Sequence, residues 1–118
     1  MKHRKKGRKL SLKRGERKSF VRILIHNLIM KKRIETTEAR AKEIKPKVEK
    51  LVTIARKNNL AALRLLLTRI PKDSAYKLYH EIAPQYKERK GGYLRVVKTS
   101  AVRKRDAAKK AVIEFVKD

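Results

Sequence analysis

Residues 91–99 read Gly-Gly-Tyr-Leu-Arg-Val-Val-Lys-Thr, and the change of rhythm they bring decides the fold. Upstream, apolar residues recur every three or four positions. After Gly91-Gly92 the period becomes that of an extended strand running from Tyr93 to Thr99. A basic loop, Val102-Arg103-Lys104-Arg105-Asp106, leads to a second strand, Ala111-Val112-Ile113-Glu114-Phe115-Val116. Two strands joined by a loop of about ten residues most simply form an antiparallel hairpin. A lone hairpin is marginal in water, so it needs a third strand and a helical cover. Ile34-Glu35-Thr36-Thr37, rich in β-branched residues, supplies that strand and runs into a threonine helix cap.

The cover comes from four helical stretches. Phe20, Leu24 and Leu28, flanked by Val21, Ile23, Ile25 and Ile29, predict a buried helix from Glu16 to about Arg33. Ala41, Ile44, Val48, Leu51, Val52 and Ala55 predict a second, with Pro46 inside it bending the axis or removing a hydrogen bond. Asn58 or Asn59 caps a third, whose Leu60, Leu63, Leu66, Leu67 and Ile70 face inward, and Pro71 ends it. Asp73 or Ser74 caps a fourth carrying Ala75, Leu78, Tyr79, Ile82 and Tyr86, its last turn weakened by Pro84. The order α-β-α-α-α-β-β predicts a two-layer α+β domain over residues 16–118, with a small mixed three-stranded sheet covered by helices.

Residues 1–15 stand apart as an extended basic arm. Ten of the first eighteen positions are Lys or Arg, and Leu10 and Leu12 are the only aliphatic residues beyond Met1. Such a segment has too little apolar surface to offset the entropy of ordering it, so it is expected to be disordered when free. Extended, about fourteen residues would reach roughly 45–50 Å into a folded RNA.

The whole chain carries the same message: 36 Lys plus Arg against 11 Asp plus Glu give a net charge of +25 over 118 residues. Self-repulsion on this scale makes a polyanion the natural partner, and binding it would stabilise the fold by mass action. Nucleic acid is favoured over membrane lipid, because the best apolar run, Phe20 to Met30, is short and contains Arg22, His26 and Asn27. The basic start is too long, and its apolar sequel too interrupted, for a secretory signal, so a cytoplasmic location is expected. With no cysteine and only three histidines, at 3, 26 and 80, neither a metal nor another cofactor is expected.

Four stretches resemble a known family. Met1-Lys2-His3-Arg4-Lys5-Lys6-Gly7-Arg8-Lys9-Leu10, then Arg33-Ile34-Glu35-Thr36-Thr37 with Ala39-Arg40-Ala41-Lys42-Glu43, resemble the bacterial large-subunit ribosomal protein seventeen family. So do Gly91-Gly92-Tyr93 and Ile113-Glu114-Phe115-Val116 near the end. The resemblance implies a structural constituent of the large ribosomal subunit that binds its ribosomal RNA near the nascent-chain tunnel exit. It also implies contact with neighbouring ribosomal proteins, among them ribosomal protein thirty-two of the large subunit. By matching positions, Lys2, His3, Arg4, Lys5, Lys6, Arg8 and Lys9 inherit the family's insertion into RNA. Gly15-Glu16-Arg17-Lys18 departs from the family's His-Arg pair before the first helix, so only Arg17 inherits a phosphate contact there.

Arginine suits this work because its planar fork grips phosphate with two bonds and stacks on unpaired bases, while lysine supplies a mobile point charge. Lys13, Arg14, Lys18 and Arg22 extend the arm's cationic set. Arg103, Lys104 and Arg105 form a second cluster, read either as a phosphate grip or as an exposed loop. Tyr93 beside Arg95 is the favoured base-stacking pair, with cross-strand packing as Tyr93's other reading. Tyr79 and Tyr86 read as core edge, and Tyr76 is open. His26 lacks a Ser, Cys or paired carboxylate for company, and His80 and Glu81 point different ways on a helix, so no enzyme is expected. No homo-oligomer is expected either. The competing function is a free, nucleoid-associated nucleic-acid-binding protein, against which stands the lack of helix-turn-helix, heptad or zinc signatures.

Overall fold

The chain's last strand is its structural centre. In the computed structural model, which describes residues 14–102 and 109–117, β3 (Lys109–Phe115) lies between β1 (Arg33–Thr37) and β2 (Leu94–Val102). Ile113 pairs with Ile34 on one side and Val96 on the other, antiparallel in both cases. The sheet is therefore wholly antiparallel, correcting the expectation of a mixed one. β1 and β2 run the same way, but a parallel pair would need them adjacent, and β3 turns back from β2 to fill the space between them.

Alternation along the strands sends Ile34, Leu94, Val96, Ala111, Ile113 and Phe115 towards the helices, and these residues join the core. Arg33, Glu35, Arg95, Val97 and Glu114 share the other face by the same period of two. The five residues of β2 from Lys98 to Val102 span the same stretch as three of β3, from Ala111 to Lys109, so the hairpin is bulged there.

α1 (Arg14–Lys31) begins two residues before the expected Glu16 and buries Val21, Ile25, Leu28 and Ile29. Lys32 closes it at φ 66°, its N–H bonded to the Leu28 carbonyl. Lys77 Nζ donates to the Met30 carbonyl at 2.7 Å, placing a cation where the helix dipole favours one. α2 (Glu38–Ala55) is capped by Thr37, whose side chain accepts from the Arg40 N–H at 3.3 Å, and it buries the expected stripe from Ala41 to Ala55. Pro46 is exposed inside an unbroken α2, where its missing N–H deprives the Lys42 carbonyl of the usual donor four residues on.

Asn58 turns the chain at φ 51°, a conformation asparagine tolerates, and Asn59 caps α3 (Leu60–Arg69) by accepting from the Ala62 N–H at 2.7 Å. Leu66 and Ile70 are buried as expected, but Leu60 in the first turn is exposed and Ala62 takes an inward place instead. α4 (Lys72–Lys77) starts directly after Pro71, not from a cap at Asp73 or Ser74; Ser74 is buried with its hydroxyl donating to the Pro71 carbonyl.

The helix then widens into a π turn over Leu78–Ile82 and tightens into a 3-10 turn over Ala83–Tyr86. Pro84 explains the switch: it has no N–H for an α bond, and its ring crowds the preceding turn. Gln85 Nε2 donates to the Glu81 carbonyl at 3.2 Å, satisfying an acceptor in the disturbed stretch. Tyr86, Tyr93 and Phe115 then close the end of the sheet. The Tyr86 ring centre lies 5.4 Å from that of Tyr93 and 6.4 Å from that of Phe115, and its hydroxyl donates to the Val116 carbonyl.

Candidate nucleic-acid interface

Helical spacing in the first half of α1 sorts its charges from its apolar residues. Arg17, Val21 and Ile25 form one i, i+4 row, with Lys18 and Arg22 in the row beside it. Packing α1 against the other helices brings Lys47 of α2 and Arg69 of α3 to the same place, enclosing a groove of about 540 Å³. Five cations from three helices line it, and Val21 and Ile25 make its floor. No carboxylate of the described residues lines the groove. Lys47 leans to Glu43 at 3.5 Å, whereas Arg17, Lys18, Arg22 and Arg69 have no ion-pair partner among the described residues. Arg22, Lys18 and Arg69 are exposed and Arg17 is half-buried, so all four can turn to an anion in the groove.

Such a site suits a phosphate backbone. Several guanidinium forks can each take two oxygens, and the apolar floor can meet a sugar or a base edge. The first turns of α1 carry Arg17 and Lys18 against a dipole that favours negative charge, and a phosphate at that end would offset both. Arg40 ties the neighbouring elements together, its guanidinium 4.6 Å from the ring centre of Phe20.

Of the residues singled out in the sequence, Arg17, Lys18 and Arg22 are brought together here. Lys47 and Arg69 are added by tertiary packing; in the sequence each looks like any solvated cation on the outer face of a helix. Arg95 is exposed, but Glu114 accepts from its Nε at 2.7 Å, and Arg33 reaches the other oxygen of the same carboxylate at 3.3 Å. Three residues directly opposite one another on the three strands thus form a row of two cations about one anion.

Tyr93 is not a base-stacking residue. It is 1% exposed, its ring packs on Tyr86, and its hydroxyl accepts from Arg56, so neither face is open to a nucleotide. Packing, the other reading of this tyrosine, is what the structure shows. Lys2, His3, Arg4, Lys5, Lys6, Arg8, Lys9 and Lys13 of the arm, and Arg103, Lys104 and Arg105 of the hairpin loop, lie outside the described residues. Arg14 opens α1. Among the described residues no group of three or more His, Cys, Asp or Glu is placed to hold a metal, and no helix is long and apolar enough to cross a membrane.

The fold and its cationic groove belong to a sequence with many relatives. Residues 20–116 match the family model Ribosomal protein L17. The chain is 43% identical over 117 residues to the large ribosomal subunit protein bL17 of Thermodesulfovibrio yellowstonii, covering 98% of this chain and 87% of that one. It is 43% identical over 117 residues to bL17 of Fusobacterium nucleatum, covering 98% of this chain and 100% of the relative. It is 46% identical over 110 residues to bL17 of Desulforamulus reducens, covering 92% and 97%. A match of this extent, over the groove-bearing helices and the sheet alike, means that the chain belongs to the Ribosomal protein L17 family, which is not a family of enzymes.

Proposed function

We propose that this chain, a structural component of the large ribosomal subunit, works by binding and bracing the large-subunit ribosomal RNA. The observation that carries the reading is the convergence of Arg17, Lys18, Arg22, Lys47 and Arg69 from three helices on one groove with an apolar floor. A net charge of +25 needs a polyanion to offset it, and a phosphate backbone laid in that groove places anions where the fold has gathered cations. Lys2, His3, Arg4, Lys5, Lys6, Arg8, Lys9 and Lys13 precede α1 in the sequence and Arg14 opens it, and all are assigned to the same RNA. Arg103, Lys104 and Arg105 are assigned a second phosphate grip. Arg95 takes part once its pairing with Glu114 yields to a phosphate.

The resemblance to the family supports a position near the nascent-chain tunnel exit, beside ribosomal protein thirty-two. The test is sedimentation of cell extracts through a sucrose gradient at moderate salt. The chain is expected with large ribosomal subunits, and its recovery mainly on chromosomal DNA would overturn the reading.

A further inference from the structure

The buried Tyr93 leaves the aromatic part of RNA recognition unassigned, and the structure exposes another aromatic surface. Lys72, Tyr76 and His80 follow one another at i, i+4 and i+8 along the outer side of α4 and the π turn. Tyr76 is 37% exposed and His80 is also exposed. Their rings lie nearly parallel, 12° apart with centres separated by 6.0 Å. Tyr79, half-buried against the core, meets the same imidazole edge-on, with centres 4.9 Å apart at 88°. The imidazole is thus held from the core side with its plane set parallel to the phenol outside.

We infer that Tyr76 and His80 form a stacking platform for an unpaired RNA base. The inference rests on the reading of the chain as an RNA-binding protein and adds a second site to it, of different chemistry. Exposed aromatic faces held in place accept any base, because every base has a π face, and the prior ordering by Tyr79 lowers the entropic cost of binding. Lys72 now stands with its ammonium 5.8 Å from the Tyr76 ring centre. An exposed cation–π contact is weaker than a stacked base, so a base displaces the flexible lysine, whose ammonium is then free for that nucleotide's phosphate.

Asp73 lies beside Lys72, and Glu81 is paired with Lys77 at 3.8 Å, so the platform is not a cationic patch like the groove. It suits the face of a base and not a run of phosphates. Paired RNA hides its bases within the stack, which makes loops and bulges the class of ligand.

The test measures binding of the full chain to a short single-stranded RNA and to an RNA duplex of equal phosphate count. Tyr76→Phe is expected to bind both as the unaltered chain does. Tyr76→Leu should lose about fivefold to hundredfold in affinity for the single strand, with the duplex affinity and the salt slope unchanged. His80→Ala, a second variant at an exposed position, should weaken single-strand binding in the same direction. Single-strand affinity that survives Tyr76→Leu, or an equal loss on the duplex, would overturn the platform. Failure of the unaltered chain to bind large-subunit RNA at all would instead overturn the reading on which it rests.

Discussion

Arg56, in the turn after α2, donates from Nη1 to the hydroxyl of Tyr93 at 2.8 Å while its guanidinium lies 5.7 Å from that ring's centre. Its Nη2 also donates to the Lys87 carbonyl at 3.0 Å, so one side chain joins the end of α2 to the segment that enters β2. Tyr93 is therefore a packing residue whose polar end is satisfied internally. Tyr93→Phe should lower stability in urea by about 0.5–1.5 kcal/mol, the usual worth of such a bond, and Tyr93→Ala by about 3–5 kcal/mol. Tyr93→Phe should leave RNA affinity unchanged; weaker RNA binding at unaltered stability would mean that the hydroxyl, and not Arg56 alone, meets the RNA.

Glu114 sits between Arg33 and Arg95, whose side chains are 67% and 64% exposed. Pairs this open to water contribute little, so Glu114→Gln should cost less than about 1 kcal/mol in denaturant unfolding. The substitution removes a negative charge and releases two guanidinium groups towards solvent. Affinity for RNA at low salt should rise, and a fall would show that the carboxylate orients Arg95 for binding.

Glu38 opens α2, and a hydrogen bond from Lys42, helped by one from Lys98 on β2, holds its carboxyl below the ordinary glutamate range. A folded-state pKa below the unfolded one gives stability that is present above the unfolded value and lost as pH falls through the folded one. Lys42→Met and Lys98→Met should each move the Glu38 titration upwards, the first by more. Carbon-detected NMR of the Glu38 carboxyl reads this directly, and a titration that neither variant moves would contradict the assigned cause.

Local periodicity made much of this fold legible. The α2 stripe, the brief β1 and the hairpin follow from residue spacing, and Thr37 and Asn59 cap as their chemistry suggests. Strand order was not legible, because β1 can in principle pair with either edge of a hairpin, and only packing selects β3. Tyr93 misled because a tyrosine next to a basic strand residue looks the same whether its ring faces water or Tyr86, and the arginine that satisfies it lies 37 residues away in the chain. Pro84 signalled a weakened turn but not the π widening before it. The groove was half legible: Arg17, Lys18 and Arg22 are close in sequence, whereas Lys47 and Arg69 join them only when three helices pack.

The most direct measurement is the salt dependence of binding to protein-free large-subunit ribosomal RNA, compared between the full chain and a variant carrying Arg17→Gln, Arg22→Gln and Arg69→Gln. If these three side chains each neutralise a phosphate, the slope of log affinity against log salt should fall in magnitude by about two to three, at roughly 0.7–0.9 per contact. A slope identical to that of the unaltered chain would mean that the groove does not hold the RNA backbone.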